Sequence, residues 1–131
     1  EFRRVLFRSL CSFPSENRDL ARAKAFSPQI IRTLESSSDD YFDSHEGGAV
    51  WAAMQYEMGQ TLGNHSVIGK SLLKLMSNIL ECPYSVSGGT LNFNFGDLAK
   101  CHVAILSTDS RAQQVARQVY LKYLGTYGAG L

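Results

Sequence analysis

The chain has 131 residues, of which 44% are hydrophobic and 19% charged, with a formal net charge of +1. That length supports one domain with a hydrophobic core and is short for two, and no apolar run reaches the ~18 residues of a membrane span. Residues 1–9, EFRRVLFRS, carry three arginines without an initiator methionine and read as a non-native, adaptor-like prefix; the remaining stretch, 10–131, has ten basic against eleven acidic residues and no basic stripe of the kind nucleic acid requires.

Three cysteines, Cys11, Cys82 and Cys101, fall in no CxxC spacing. An odd count without an export signal favours reduced thiols in a cytoplasmic protein over a disulfide framework. No metal or cofactor is expected.

In chain order, residues 15–26 read as helical, with Leu20, Ala23 and Phe26 inward. Ser27-Pro28 then opens a helix to about 36, with serine as N-cap and proline at the first helical position. Residues 36–43 form a polar loop. Its acidic run DDYFDSHE (39–46) matches no calcium loop, and negative charge before a helix is favoured by the helix dipole. An amphipathic helix over 46–62 turns Val50, Trp51, Met54, Met58 and Leu62 to one side, with Gln55, Tyr56, Glu57 and Gln60 mostly elsewhere. Gly63-Asn64 ends it and caps the next helix, over 67–81, whose inner side is Ile68, Leu72, Leu73, Leu75, Met76, Ile79 and Leu80, with Lys70 and Ser71 opposite.

GNHSVIGKSLL (63–73) has the look of a phosphate loop, but Gly63 stands one residue too early for the pattern. The segment before it is helical, whereas a phosphate loop follows a buried strand. Lys70 and Ser71 lie within a helix whose amides are already engaged, so the segment reads as a capped helix bearing a surface lysine.

After Pro83 the hydrophobic period shortens to two. Tyr84 and Val86, then Leu91, Phe93 and Phe95, then Ala99, Cys101, Val103 and Ile105 alternate with other residues, predicting three strands over about 83–106. Gly88-Gly89 suits a two-residue primed turn that pairs Val86 with Leu91 and Tyr84 with Phe93. For the second connection, register selects a three-residue Gly96-Asp97-Leu98 loop, pairing Phe95 with Ala99, Phe93 with Cys101 and Leu91 with Val103. In that strand Cys101 is buried beside Phe93 and His102 faces away, so the two do not form a nucleophile pair. The last helix starts with Ser110 and Gln113 at capping-box spacing. Ala112, Val115, Ala116, Val119, Tyr120 and Tyr123 lie inward, Arg111, Gln114, Arg117, Gln118 and Lys122 outward, and Gly125 is the stop. The expected fold is a single α+β domain of N-terminal helices, a three-stranded antiparallel meander and a C-terminal helix.

From about 49 to 106 the order of GAVWAAMQYEMGQTLG, HSVIGKSLLKLMSNIL and a meander closing on FGDLAKCHVAIL resembles the 4-vinyl reductase domain family, the ligand-binding fold shared with TRAPP-type trafficking subunits. Gly96, Asp97, Cys101 and Val103 to Leu106 carry the likeness at its end. The middle strand shows Asn92, Phe93 and Asn94 where the family commonly has a further cysteine. The resemblance implies a non-enzymatic domain that senses or carries a small hydrophobic molecule, or that pairs with a second copy.

No compact catalytic signature is present. The leading expectation is a non-catalytic regulatory or apolar-ligand-binding domain, its pocket lined by Trp51, Met54, Met58, Met76, Phe93 and Phe95, since aromatic rings and adaptable methionines can surround an apolar ligand. The alternative is a homodimeric interaction or assembly subunit with Tyr56, Tyr120, Tyr123 and Tyr127 as contact residues. An enzyme relying on Cys101 or His65 ranks third.

Overall fold

The Gly63-Asn64 joint closes one helix and opens the next, as its composition requires. In the computed structural model, which describes residues 44–125 and 130–131, helix α1 spans Ser44–Leu62. Gly63 takes φ 67°, its amide bonds to the Gln60 carbonyl at 3.1 Å, and the Asn64 amide bonds to the Gly59 carbonyl at 3.0 Å. This is the paired 5→2 and 6→1 closure that a left-handed glycine permits. The Asn64 side chain then accepts from the amides of Ser66 and Val67, starting α2, His65–Ser77. The prefix at 1–9, the helical readings of 15–26 and 28–36, the loop at 36–43 and Tyr127 lie outside the described residues.

Val50, Trp51, Met54 and Met58 are buried along α1, with Leu62 packed against the same core. On α2 the expected inner face is too wide. Ile68, Ser71 and Leu75 are buried, whereas Leu73 and Leu80 are 67% and 62% exposed. Leu73 lies about 140° around the helix from Ile68, beyond the sector that faces the core. The helix also stops at Ser77, followed by a 3-10 turn over Ile79–Glu81.

Strands β1, Ser85–Ser87, and β2, Thr90–Asn92, form an antiparallel hairpin in the expected register, Val86 opposite Leu91. Gly88 and Gly89 both take positive φ, 56° and 77°, as a primed two-residue turn demands. Just beyond the strands, the rings of Tyr84 and Phe93 meet at 5.7 Å.

The third strand of the expected meander is instead a helix, α3, Phe95–Ile105. None of the pairings Phe95–Ala99, Phe93–Cys101 and Leu91–Val103 forms. The local cause is a reciprocal cap: the Asn94 side chain accepts from the Asp97 amide at 2.7 Å and donates to the Asp97 carboxylate at 2.7 Å, satisfying an amide that a starting helix leaves free. Leu98, Ala99, His102, Val103 and Leu106 then recur at helical spacing and are all buried, so the alternation of Ala99, Cys101, Val103 and Ile105 competed with an equally good helical stripe. The described fold is therefore mostly helical, with one two-stranded sheet.

Helix α4, Ser110–Leu124, has its expected inner face buried and ends at Gly125. Its N-cap is Asp109, which accepts from the Ala112 amide, in place of the expected Ser110–Gln113 capping box. Gln113 instead donates to the Val103 carbonyl at 3.0 Å, tying α4 to α3. Each helix packs on its neighbours in the chain and α4 returns to α1, closing a ring of four. Cys82 and Cys101 are joined as a disulfide, with Cα atoms 6.0 Å apart, which corrects the reduced-thiol expectation for this pair. The helical turn of α3 carries Cys101 to Cys82, whereas a strand would have placed it beside Phe93.

Replacing Asn94 with alanine is expected to lower stability by about 1 kcal/mol, read as an earlier urea midpoint at unchanged slope. A third strand beginning after Asn94 would not register the loss of this cap.

Candidate functional site

Four polar side chains, one from each helix, meet inside the ring. The Ser71 hydroxyl on α2 donates to the Ile68 carbonyl at 2.7 Å. Its oxygen is then free to accept from His102 Nε2 on α3, 2.6 Å away. A neutral imidazole protonated at Nε2 accepts at Nδ1 from the Tyr120 hydroxyl on α4, also at 2.6 Å. The Tyr120 oxygen accepts in turn from Gln55 Nε2 on α1 at 2.9 Å. Assigned in this sense, every bond runs from donor to acceptor in one direction, and aligned chains of this kind strengthen one another in a low dielectric.

His102 and Tyr120 have no exposed surface. Burial pushes the His102 pKa down to about 4, and it raises that of Tyr120, with the Gln55 hydrogen bond opposing the rise. Both groups therefore stay neutral in the folded protein at neutral pH. In this assignment Ser71 donates to its own helix and accepts from the imidazole, so His102 presents it a proton and no free lone pair. Bonded in this way, the cluster is a strut that ties the four helices together. One atom is left over: Gln55 Oε1 is buried without a hydrogen-bond partner, and turning the amide would only move the vacancy to its nitrogen.

Around this strut lie the residues expected to line a ligand pocket. Trp51 stacks on Phe95 at 6.0 Å and on Tyr120 at 5.5 Å, and Met54 and Met58 have no exposed surface. Phe93 and Phe95 are partly buried and pack against the same core cluster, Phe93 from the foot of the hairpin. Met76 is partly buried on α2 and is not part of that cluster. Five of the six are thus brought to one core.

Of the residues assigned to a dimer contact, Tyr120 and Tyr123 are buried. Tyr123 donates to Glu57 at 2.5 Å and Lys122 bonds the same carboxylate at 2.7 Å, fastening α4 to α1. Partial burial of Glu57 would raise its pKa, but these two hydrogen bonds and the lysine charge outweigh that and hold it below the usual value. His65 is exposed at the start of α2, its ring 5.2 Å from that of Tyr56 and seated over Gly59, where a Cβ would collide with it. Lys70 is exposed and Gly69 lies within α2, so no backbone there is free to wrap a phosphate. Among the described residues no three of His, Cys, Asp and Glu gather as a metal site, and no helix is long and apolar enough to cross a membrane.

Gln55, Ser71 and His102 escaped the sequence reading because each was assigned outward, and Ser71 had one available signal, its spacing between Ile68 and Leu75 on the inner stripe. The cluster has a pH signature. The folded pKa of His102, about 4, lies below its ordinary 6.5, so the unfolded chain binds the proton more readily. Stability is full above pH 6.5 and falls by about 1.4 kcal/mol per unit below it, until the folded pKa is reached. Urea titrations between neutral pH and the carboxylate range should show that slope in the wild type and lose it in His102→Gln. Tyr120→Phe, which strips partners from both His102 and Gln55, should cost about 2 kcal/mol. Compared with known proteins, the chain matches no family model, no curated sequence and no solved structure.

Proposed function

We propose that the chain is a non-catalytic interaction domain that assembles with a second copy of itself through the β1-β2 hairpin. The observation that carries this reading is the apolar face of the hairpin: Val86 and Leu91 stand opposite each other, 65% and 43% exposed, with Tyr84 exposed beside them in sequence. Both strands of a two-stranded sheet are edges, and natural edges are commonly guarded by charge. Here residues 82–96 contain no charged side chain at all. A two-fold contact sets a segment against its own copy, and an uncharged segment meets no like-charge repulsion there. Strands of three residues also gain from added partners, because a lone hairpin is marginal in water.

A second reading, a binding site for a small apolar molecule, is favoured by Gln55 Oε1. An unpartnered acceptor beside Trp51, Met54, Met58 and Tyr120 suits one hydroxyl or N–H on an otherwise apolar ligand. The likeness of residues 49–106 to the 4-vinyl reductase family bears on it through α1 and α2 alone, because the segment that closes the likeness as a strand is the helix α3. The cytoplasmic expectation rests on reduced thiols, and the Cys82–Cys101 disulfide removes that ground for this pair.

Sedimentation equilibrium on the full chain should give twice the chain mass for the wild type and the chain mass for Val86→Lys, with the same far-UV spectrum. A wild type that stays monomeric as concentration rises overturns the assembly reading. For the second, long-chain alcohols should raise the melting temperature of the wild type but not of Gln55→Leu; no shift with any of them removes it.

A further inference from the structure

The disulfide brackets the hairpin. Cys82 follows the 3-10 turn after α2, Cys101 sits within α3, and the ring they close contains both strands and the Gly88-Gly89 turn. We propose that this disulfide is a reversible redox clamp on the hairpin arm: closed, it holds the arm in an ordered form, and thiol–disulfide exchange at Cys101 releases it.

The arm's attachment argues for this. Its two strands pack chiefly against each other, every residue from Pro83 to Asn92 is exposed, and strands of three residues do not persist alone. Order in the arm therefore depends on its two feet. One is Phe93, partly buried against the core and in ring contact with Tyr84. The other is the disulfide. On the far side of that bond, α3 is fixed independently by the Asn94 cap and by His102 in the four-helix strut, so opening the bond loosens the arm and leaves the ring of helices in place.

The two sulfurs are unequally placed. Cys82 is 4% exposed and Cys101 is the more open of the pair, which directs attack to Cys101. A thiolate of a small dithiol forms a bond to Cys101 Sγ as the Cys82–Cys101 bond breaks. The electron pair leaves with Cys82, which takes up a proton. The second thiol of the reductant, losing its proton, then displaces Cys101, which is protonated in turn. The reductant ends as a cyclic disulfide and both cysteines as thiols, a transfer of two electrons and two protons. A small-molecule disulfide closes the clamp by the reverse route.

The consequence for assembly rests on the interaction reading above: an ordered arm pairs, a released arm does not. Hydrogen exchange on the full oxidised chain, on the chain treated with dithiothreitol, and on the chain reoxidised with glutathione disulfide tests the clamp, with sedimentation run alongside. Expected on reduction is at least about tenfold faster exchange over residues 83–93, unchanged exchange in α4, reversal on reoxidation, and the reduced pattern in Cys82→Ser without any reductant. Equal arm exchange in both redox states overturns the clamp, as does acceleration of α4 to the same degree, which would make the bond a general structural staple. Faster arm exchange with unaltered mass upholds the clamp and overturns only its link to assembly, while a monomer in both redox states overturns the assembly reading itself.

Discussion

The hydrogen-bond chain Gln55–Tyr120–His102–Ser71 is the constraint on which the arrangement of the four helices depends. Apolar contacts among Trp51, Met54, Met58, Val103 and Val119 supply most of the driving force for burial, but such contacts tolerate sliding and repacking. A buried imidazole does not. Any rotation of α1, α2, α3 or α4 that breaks one bond leaves a polar group unpaired in a dry interior, at a cost of about 1–3 kcal/mol. The chain therefore penalises alternative packings more than it adds to the stability of the correct one. The same logic accounts for Trp51, whose contacts with Phe95 and Tyr120 seat it directly against the strut.

That interior is organised for rigidity, whereas the surface between Leu73 and Leu91 is not. Leu73, Leu80, Tyr84, Val86 and Leu91 are all exposed, within a stretch that contributes only Leu75, Ile79 and Cys82 to the core. Stiff helices carrying a lightly attached, apolar arm are the features on which the proposed interaction reading rests. The proposed clamp belongs to this division, since Cys82 belongs to the arm's foot and Cys101 to a helix the strut already holds.

The meander expectation foundered on an instructive ambiguity. From Ala99 to Ile105 the residues satisfy a period of two and a period of 3.6 about equally, and hydrophobic alternation alone does not separate them. The Asn94–Asp97 cap tips the balance locally, and burial of His102 against Ser71 and Tyr120 completes it. A strand would have turned the histidine away from both. The hairpin's turn and its Val86–Leu91 register, by contrast, were legible, because two adjacent glycines at positive φ leave a primed turn few alternatives, although the second strand ends at Asn92, short of the expected Phe93 and Phe95.

What the sequence alone determined were the features encoded within a turn or two of chain: the Gly63-Asn64 joint, the Gly88-Gly89 hairpin and its register, the stop at Gly125, and the inner faces of α1 and α4. Each depends on φ preferences, caps or a periodicity that neighbouring residues carry between them. The tertiary structure decided whether 95–105 coils or extends, which leucines of α2 face water, that Gln55, Ser71 and His102 are buried, and that Cys82 reaches Cys101. Those outcomes require partners 65, 31, 18 and 19 residues away. A polar or sulfur-bearing side chain on the edge of an apolar stripe is stable inside only when such a partner arrives, and no local pattern records its arrival.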